Sequence, residues 1–177
     1  MIITIMVLEM KAPHGTAWSD LRPLAPVFMS YVLSFIFIGT YWSNHHHLLQ
    51  ASHRVSAGVM WANLHLLFWL SLTPFATNWM GETGFATLAV AVYGALQLLA
   101  AIAFVTLMLL LVRLHGPDSA LARALAADYK GKISMSLYAA SVPLAFVNRW
   151  VSCGIFVFVA GLWLVPDRRM ERAIAAK

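Results

Sequence analysis

An all-α polytopic membrane protein, a six-helix bundle, is the fold this sequence predicts, and three observations predict it. Of 177 residues, 61% are hydrophobic. Only 11% are Asp, Glu, Lys or Arg, against about a quarter in average soluble chains. The mean hydropathy is +0.76, and the apolar residues gather into runs long enough, or nearly so, to cross a hydrocarbon core of about 30 Å as helices. A water-soluble globule is excluded.

The first run, Met1 to Leu8, is apolar from its first residue and stops at Glu9 and Lys11. Eight residues are too few to span, and there is no basic start, longer apolar stretch or small-residue cleavage site of a secretory signal. It reads as the carboxy-terminal half of a first helix, over residues 1–10, truncated at its amino-terminal end. Five further spans are predicted at 24–42, 59–79, 85–112, 133–148 and 150–165. The last two are short, about 24 Å each, and must extend into their flanks or sit in a thinned region. Between the third and fourth of these five, Ser119 is placed to cap a short Ala-rich helix through Leu121, Ala122 and Leu125. Pro74 and Pro143 are placed to kink their helices. One transmembrane domain, residues 1–172, is expected, with a tail at 173–177.

Loop charge gives the orientation. With the chain starting in the cytoplasm, Arg54, Arg113, Arg123, Lys130, Lys132, Arg168, Arg169, Arg172 and Lys177 fall inside, whereas Lys11, Arg22 and Arg149 fall outside. Nine basic residues against three favour both termini cytoplasmic, in a multi-pass protein of the cell membrane. The net charge of +5 is explained by these loops and by anionic lipid headgroups. No basic stripe interleaved with aromatics points to nucleic acid. The single cysteine, Cys153, supports neither a disulfide framework nor a Cys-based metal site.

All seven acidic residues, Glu9, Asp20, Glu82, Asp118, Asp128, Asp167 and Glu171, lie at span ends or in loops. A proton-driven pump and a carboxylate-bridged metal centre both need acids within the bundle, so neither is expected. Histidine is the conspicuous enrichment, as Asn44-His45-His46-His47 with Asn63 and His65 entering the next span from the same side. Consecutive helical positions point about 100° apart, so three adjacent imidazoles do not converge on one metal. The run reads as an interfacial polar cluster at the inner mouth, whose members must find hydrogen-bond partners. No catalytic nucleophile or metal site is predicted. Ser30, Ser34, Ser71, Ser134 and Ser141 are expected to bond back to their own helix or bridge to a neighbour, and Gln97 to make a helix-to-helix contact.

Four segments carry a resemblance. Thr4-Ile5-Met6-Val7-Leu8-Glu9-Met10-Lys11-Ala12-Pro13, Tyr41-Trp42-Ser43-Asn44-His45-His46-His47, Leu72-Thr73-Pro74-Phe75 and Pro166-Asp167-Arg168-Arg169-Met170-Glu171-Arg172 together resemble bacterial members of the transmembrane protein 175 family. The similarity runs along essentially the whole chain, and the Y-W-x-N-H-H motif is its most specific part. The resemblance implies a potassium-selective leak channel, passive and without a cofactor, assembled as a homotetramer in membrane lipid. It further implies a central pore for K⁺ lined by the first helices, with apolar constriction rings and a nearby threonine. Matched through T-x-x-V-L-E, the pore face falls on Met1, Thr4, Ile5 and Leu8. Met1, Ile5 and Leu8 are spaced i, i+4, i+7 and share one helical stripe, although an apolar stripe taken alone is equally that of a lipid-facing or packed surface. The family's R-x-x-x-F-S-D signature is expected shortly before Met1, facing the histidine cluster, and is missing. A start lying upstream is the expectation, rather than a defective relative. The alternatives to a channel are a secondary transporter, which needs a mid-membrane ionisable site or interrupted helices, and a membrane enzyme using the histidine cluster.

Overall fold

The computed structural model describes residues 2–8, 10–12, 17–126 and 128–164, and the described residues are helical almost throughout. They form α1 (Ile2–Leu8), a 3-10 helix (Trp18–Leu24), α2 (Ala25–Gln50), α3 (Ala57–Ser71), α4 (Thr73–Glu82), α5 (Thr87–His115), α6 (Ala120–Ala126), α7 (Tyr129–Val147) and α8 (Arg149–Leu164). With α3 and α4 taken as one kinked rod and α6 as a connector, this is a six-helix bundle. Three rods are long and apolar enough to cross a membrane, Trp18–Gln50, Ala57–Glu82 and Thr87–His115, and Arg149–Leu164 is a shorter apolar helix.

Each boundary has a local cause. Pro26 sits in the first turn of α2, where a missing N–H costs nothing. That helix continues past Trp42 to Gln50, so Asn44 to His47 lie inside it. The change from apolar to polar side chains does not end a helix whose backbone bonds are still made. Ser56 caps α3, accepting from the N–H of Val59 at 3.3 Å, and Ser119 caps α6, accepting from Ala122 at 3.1 Å. Asp128 caps α7 by accepting from Gly131 at 2.9 Å, which starts that helix at Tyr129, ahead of its apolar run.

Between α3 and α4 the rod bends at Leu72, because Pro74 has no N–H for the preceding turn and its ring crowds the carbonyl four residues back. At its far end α4 closes in a Schellman turn: Phe85 donates to Met80 O at 2.8 Å and Gly84 to Gly81 O at 3.1 Å. Gly84 supplies the required left-handed backbone at φ 57°, and Phe85 packs into the same apolar cluster as Met80, the contact that accompanies this motif.

The core lies in two layers stacked along α5. At the end carrying the histidines, Ile38 and Leu48 of α2 and Val59, Leu66 and Leu70 of α3 pack on Ala103, Leu107 and Leu111 of α5 and on Leu121 of α6. At the other end Phe37, Met80, Val90, Tyr93, Tyr138, Phe156 and Val159 draw together α2, α4, α5, α7 and α8. Glycine permits the closest approaches: a Cβ on Gly94 of α5 would meet Ser141 Oγ of α7 at 2.7 Å, and one on Gly81 of α4 would meet Val27 Cα of α2 at 2.6 Å. Helix α1 packs on α4 and α2 at the edge of this bundle.

Candidate functional site

The residues that the sequence singles out fall in two regions, helix α1 and the histidine end of the bundle. On α1, Thr4, Ile5 and Leu8 are exposed, Ile5 at 44% and Leu8 at 80% of their surfaces. The inward side of Ile5 borders a cleft of about 450 Å³ shared with Ser71, Pro74, Phe75, Asn78 and Glu82. Helix α1 packs on α4 and α2, and every α1 side chain that the structure describes, Thr4, Ile5, Val7 and Leu8, is exposed in the single chain. Met1 lies outside the described residues.

At the histidine end the predicted cluster separates by direction, as the rotation of about 100° per residue dictates. His45 and Asn63 do come together: His45 Nε2 donates to Asn63 Oδ1 at 2.6 Å and ties α2 to α3. His46 faces outward, stacked on Trp42 with centroids 5.4 Å apart and planes at 8°. The half-buried His47 meets the ring of His46 edge-on. His65 is exposed and accepts from Trp69 Nε1 at 2.8 Å one turn along its own helix. Asn44 points elsewhere, into a cavity of about 50 Å³ walled by Tyr41, Phe104, Asp128, Ser134, Tyr138 and Trp163. Among the described residues, no three of His, Cys, Asp and Glu converge on a point where a metal ion would sit.

The structure also uses His115, Thr77 and Tyr93, which the sequence does not single out, and gives Lys130, Ser34 and Gln97 specific partners. His115, at the last turn of α5, accepts at Nε2 from the backbone N–H groups of His53 and Arg54, at 3.1 and 3.3 Å. Its Nδ1 lies 2.9 Å from Leu111 O. The ring must donate at Nδ1 and accept at Nε2, which fixes the neutral tautomer. Lys130 is 5% exposed and its ammonium donates to Leu162 O near the end of α8 at 3.1 Å, where a helix presents free carbonyls. A third group is buried mid-bundle: Ser34 Oγ lies 2.9 Å from Tyr93 Oη, Thr77 Oγ1 lies 2.7 Å from Ser34 Oγ and from Thr73 O, and Gln97 Nε2 lies 3.3 Å from Tyr93 Oη. Gln97 therefore bonds within its own helix. The spacing Ser30/Ser34 opposite Thr73/Thr77/Gly81, all at i, i+4, was the available signal.

The chain is 44% identical over 173 residues to a potassium channel of a Chryseobacterium species, covering 98% of this chain and 90% of that one. It belongs to the TMEM175 family. Residues 1–74 match the family described as endosomal/lysosomal potassium channel TMEM175. A potassium channel of Streptomyces collinus is 31% identical, with 97% of this chain and 90% of that one covered. The crystal structure of a lysosomal potassium-selective channel TMEM175 homolog from Chamaesiphon minutus superposes with a TM-score of 0.80 at 26% identity, over 93% of this chain and 89% of that one. As a member of the TMEM175 family the chain is a multi-pass membrane protein and not an enzyme. The family region at residues 1–74 contains α1, the His45–Asn63 bond and the α3–α4 kink, so the two candidate regions lie where the family is recognised.

Proposed function

We propose that this chain is a potassium channel that conducts passively through a central pore lined by α1 helices of a homotetramer. The observation that carries the reading is α1 itself. It packs on α4 and α2 while its described side chains Thr4, Ile5, Val7 and Leu8 are all exposed in the single chain, and the family's T-x-x-V-L-E pattern selects Thr4, Ile5 and Leu8 among them as the pore face. Around a fourfold axis Ile5 and Leu8 would each recur four times as apolar rings, with Met1 as the innermost layer and Thr4 supplying hydroxyls between them. Such rings resist hydrated ions by dewetting and select through dehydration cost and width. The two carboxylates of the long rods, Asp20 and Glu82, lie at their ends, which supports diffusion over proton-coupled transport. His45 bonded to Asn63, with His46, His47 and His65 on the same end, makes the cytoplasmic mouth polar, while Asn44 faces the interior cavity. The nine-to-three split of basic residues supports both termini in the cytoplasm and residence in the cell membrane.

The test is current through the purified chain in planar bilayers under a potassium gradient. A reversal potential that follows the K⁺ gradient without a co-ion is the expected result. Flux that requires a second ion in fixed proportion would replace the channel with a transporter.

A further inference from the structure

The buried hydroxyl group at the middle of the bundle has one consistent arrangement of its protons. Thr77 has a single hydroxyl proton and two oxygens at 2.7 Å, Ser34 Oγ and Thr73 O. A carbonyl only accepts, so the proton goes to Thr73 O, and Ser34 must then donate to Thr77. Tyr93 donates to Ser34 across 2.9 Å, and Gln97 Nε2 donates to Tyr93 across 3.3 Å. Every hydroxyl accepts once and donates once, in a directed chain from α5 through α2 to α4. All four side chains are buried, where such chains strengthen cooperatively and a broken link leaves an unpaired group.

What the chain holds is a short lever. Helix α4 is ten residues long, jointed at one end by the kink at Leu72–Pro74 and at the other by the Gly84 turn. Sideways it is fastened to α2 at two heights, by Thr77 on Ser34 and by Gly81 seated against Val27 and Ser30. Its other face forms the cleft wall beside Ile5 through Phe75, Asn78 and Glu82, with Ser71 at the end of α3 beside them. Helix α1 rests on α4 and α2, so the register between those two helices sets where α1 stands.

We propose that the Tyr93–Ser34–Thr77 hydroxyl chain is a positioning device for α1: by fixing α4 on α2 it sets the open probability of the pore, although none of its residues meets the ion. The second half of this inference rests on the pore reading above. The first half does not, since it concerns only how α4 and α1 are held.

The experiment uses the full chain in lipid with three variants, Tyr93→Phe, Thr77→Val and Thr77→Ser. The first two remove a hydroxyl while keeping shape, and the third keeps the hydroxyl. Amide hydrogen exchange in residues 2–8 and 73–82 is expected to quicken about tenfold in Tyr93→Phe and Thr77→Val, and to stay at the wild-type rate in Thr77→Ser. Single-channel recording is expected to show an altered open probability in the first two, with unitary conductance and K⁺ over Na⁺ preference unchanged, and wild-type gating in Thr77→Ser. Because the chain acts as a unit, Tyr93→Phe with Thr77→Val is expected to do little more than either alone. Unchanged exchange in both hydroxyl-deleting variants overturns the proposal. Faster exchange with wild-type open probability overturns the link to the pore. If the wild-type chain carries no current, the pore reading falls, and the exchange data alone decide whether the chain positions α1. Should one variant fail to fold, the other together with Thr77→Ser decides.

Discussion

Gly81 shows how tightly single residues are constrained. Its missing side chain lets α4 lie so close to α2 that a Cβ there would stand 2.6 Å from Val27 Cα, and a backbone atom of a packed helix does not rotate away. Gly81→Ala is therefore expected to lose about 1–3 kcal/mol through overpacking, in spite of the ~1 kcal/mol by which Ala favours a helix over Gly. Gly154 of α8 has nothing within 4 Å of the same position, so Gly154→Ala is expected to gain up to ~1 kcal/mol from helix propensity alone. Unfolding midpoints of the two variants in one detergent check the contrast. His45 and Asn63 make the second residue-scale prediction. Asn63→Leu strips the acceptor from a half-buried imidazole and is expected to cost about 1–3 kcal/mol. Adding His45→Leu should recover part of that loss, which a double-mutant unfolding cycle measures. The His-Asn run and its neighbours on the next span were visible in the sequence, but which two would meet was not. That depends on the rotation of α2 about its axis, which the core fixes through Ile38 and Leu48 rather than through the polar residues themselves.

Helices were legible where apolar length alone defines them and less so where caps or packing do. The runs near 59–79 and 85–112 stand out by composition, whereas α7 begins at Tyr129 because the carboxylate of Asp128 receives the Gly131 N–H, a local bond that hydropathy does not register. The serines divide as their chemistry allows. Ser30, Ser71 and Ser141 bond back to carbonyls three residues earlier, while Ser34 bridges helices and Ser134 accepts from Trp163 Nε1 at 3.0 Å. Nothing in the local sequence around Ser30 and Ser34 separates these fates, since the partner of Ser34 is Tyr93, 59 positions away. Pro74 was legible as a kink, and it divides Ala57–Glu82 into α3 and α4. Pro74→Ala is expected to straighten this rod. Amide exchange at Leu72 to Ala76 should then slow, because the i→i−4 bond absent at a proline is restored. Unchanged or faster exchange there would mean that packing, not proline, sets the bend.

At the scale of the whole molecule the six-helix architecture and the channel family were legible, because both rest on long-range features: total apolar content, the order of four motifs and the side on which basic loops fall. The charge split leads to a topological expectation. Reporter fusions after Lys177 and within 120–127 should report cytoplasm, and one beside Thr83 should report the outside; an external carboxy terminus would remove one of the spans. If potassium passes along α1, the side chain of Ile5 governs both conductance and selectivity. Ile5→Asn and Ile5→Leu are compared with the wild-type chain in planar bilayers under bi-ionic K⁺ and Na⁺. Asn wets an apolar ring and offers oxygens to any cation, so a larger current with weaker K⁺ over Na⁺ discrimination is expected, while Leu leaves both near wild type. Normal assembly with unchanged conductance and selectivity in Ile5→Asn would contradict the account and remove α1 from the ion path.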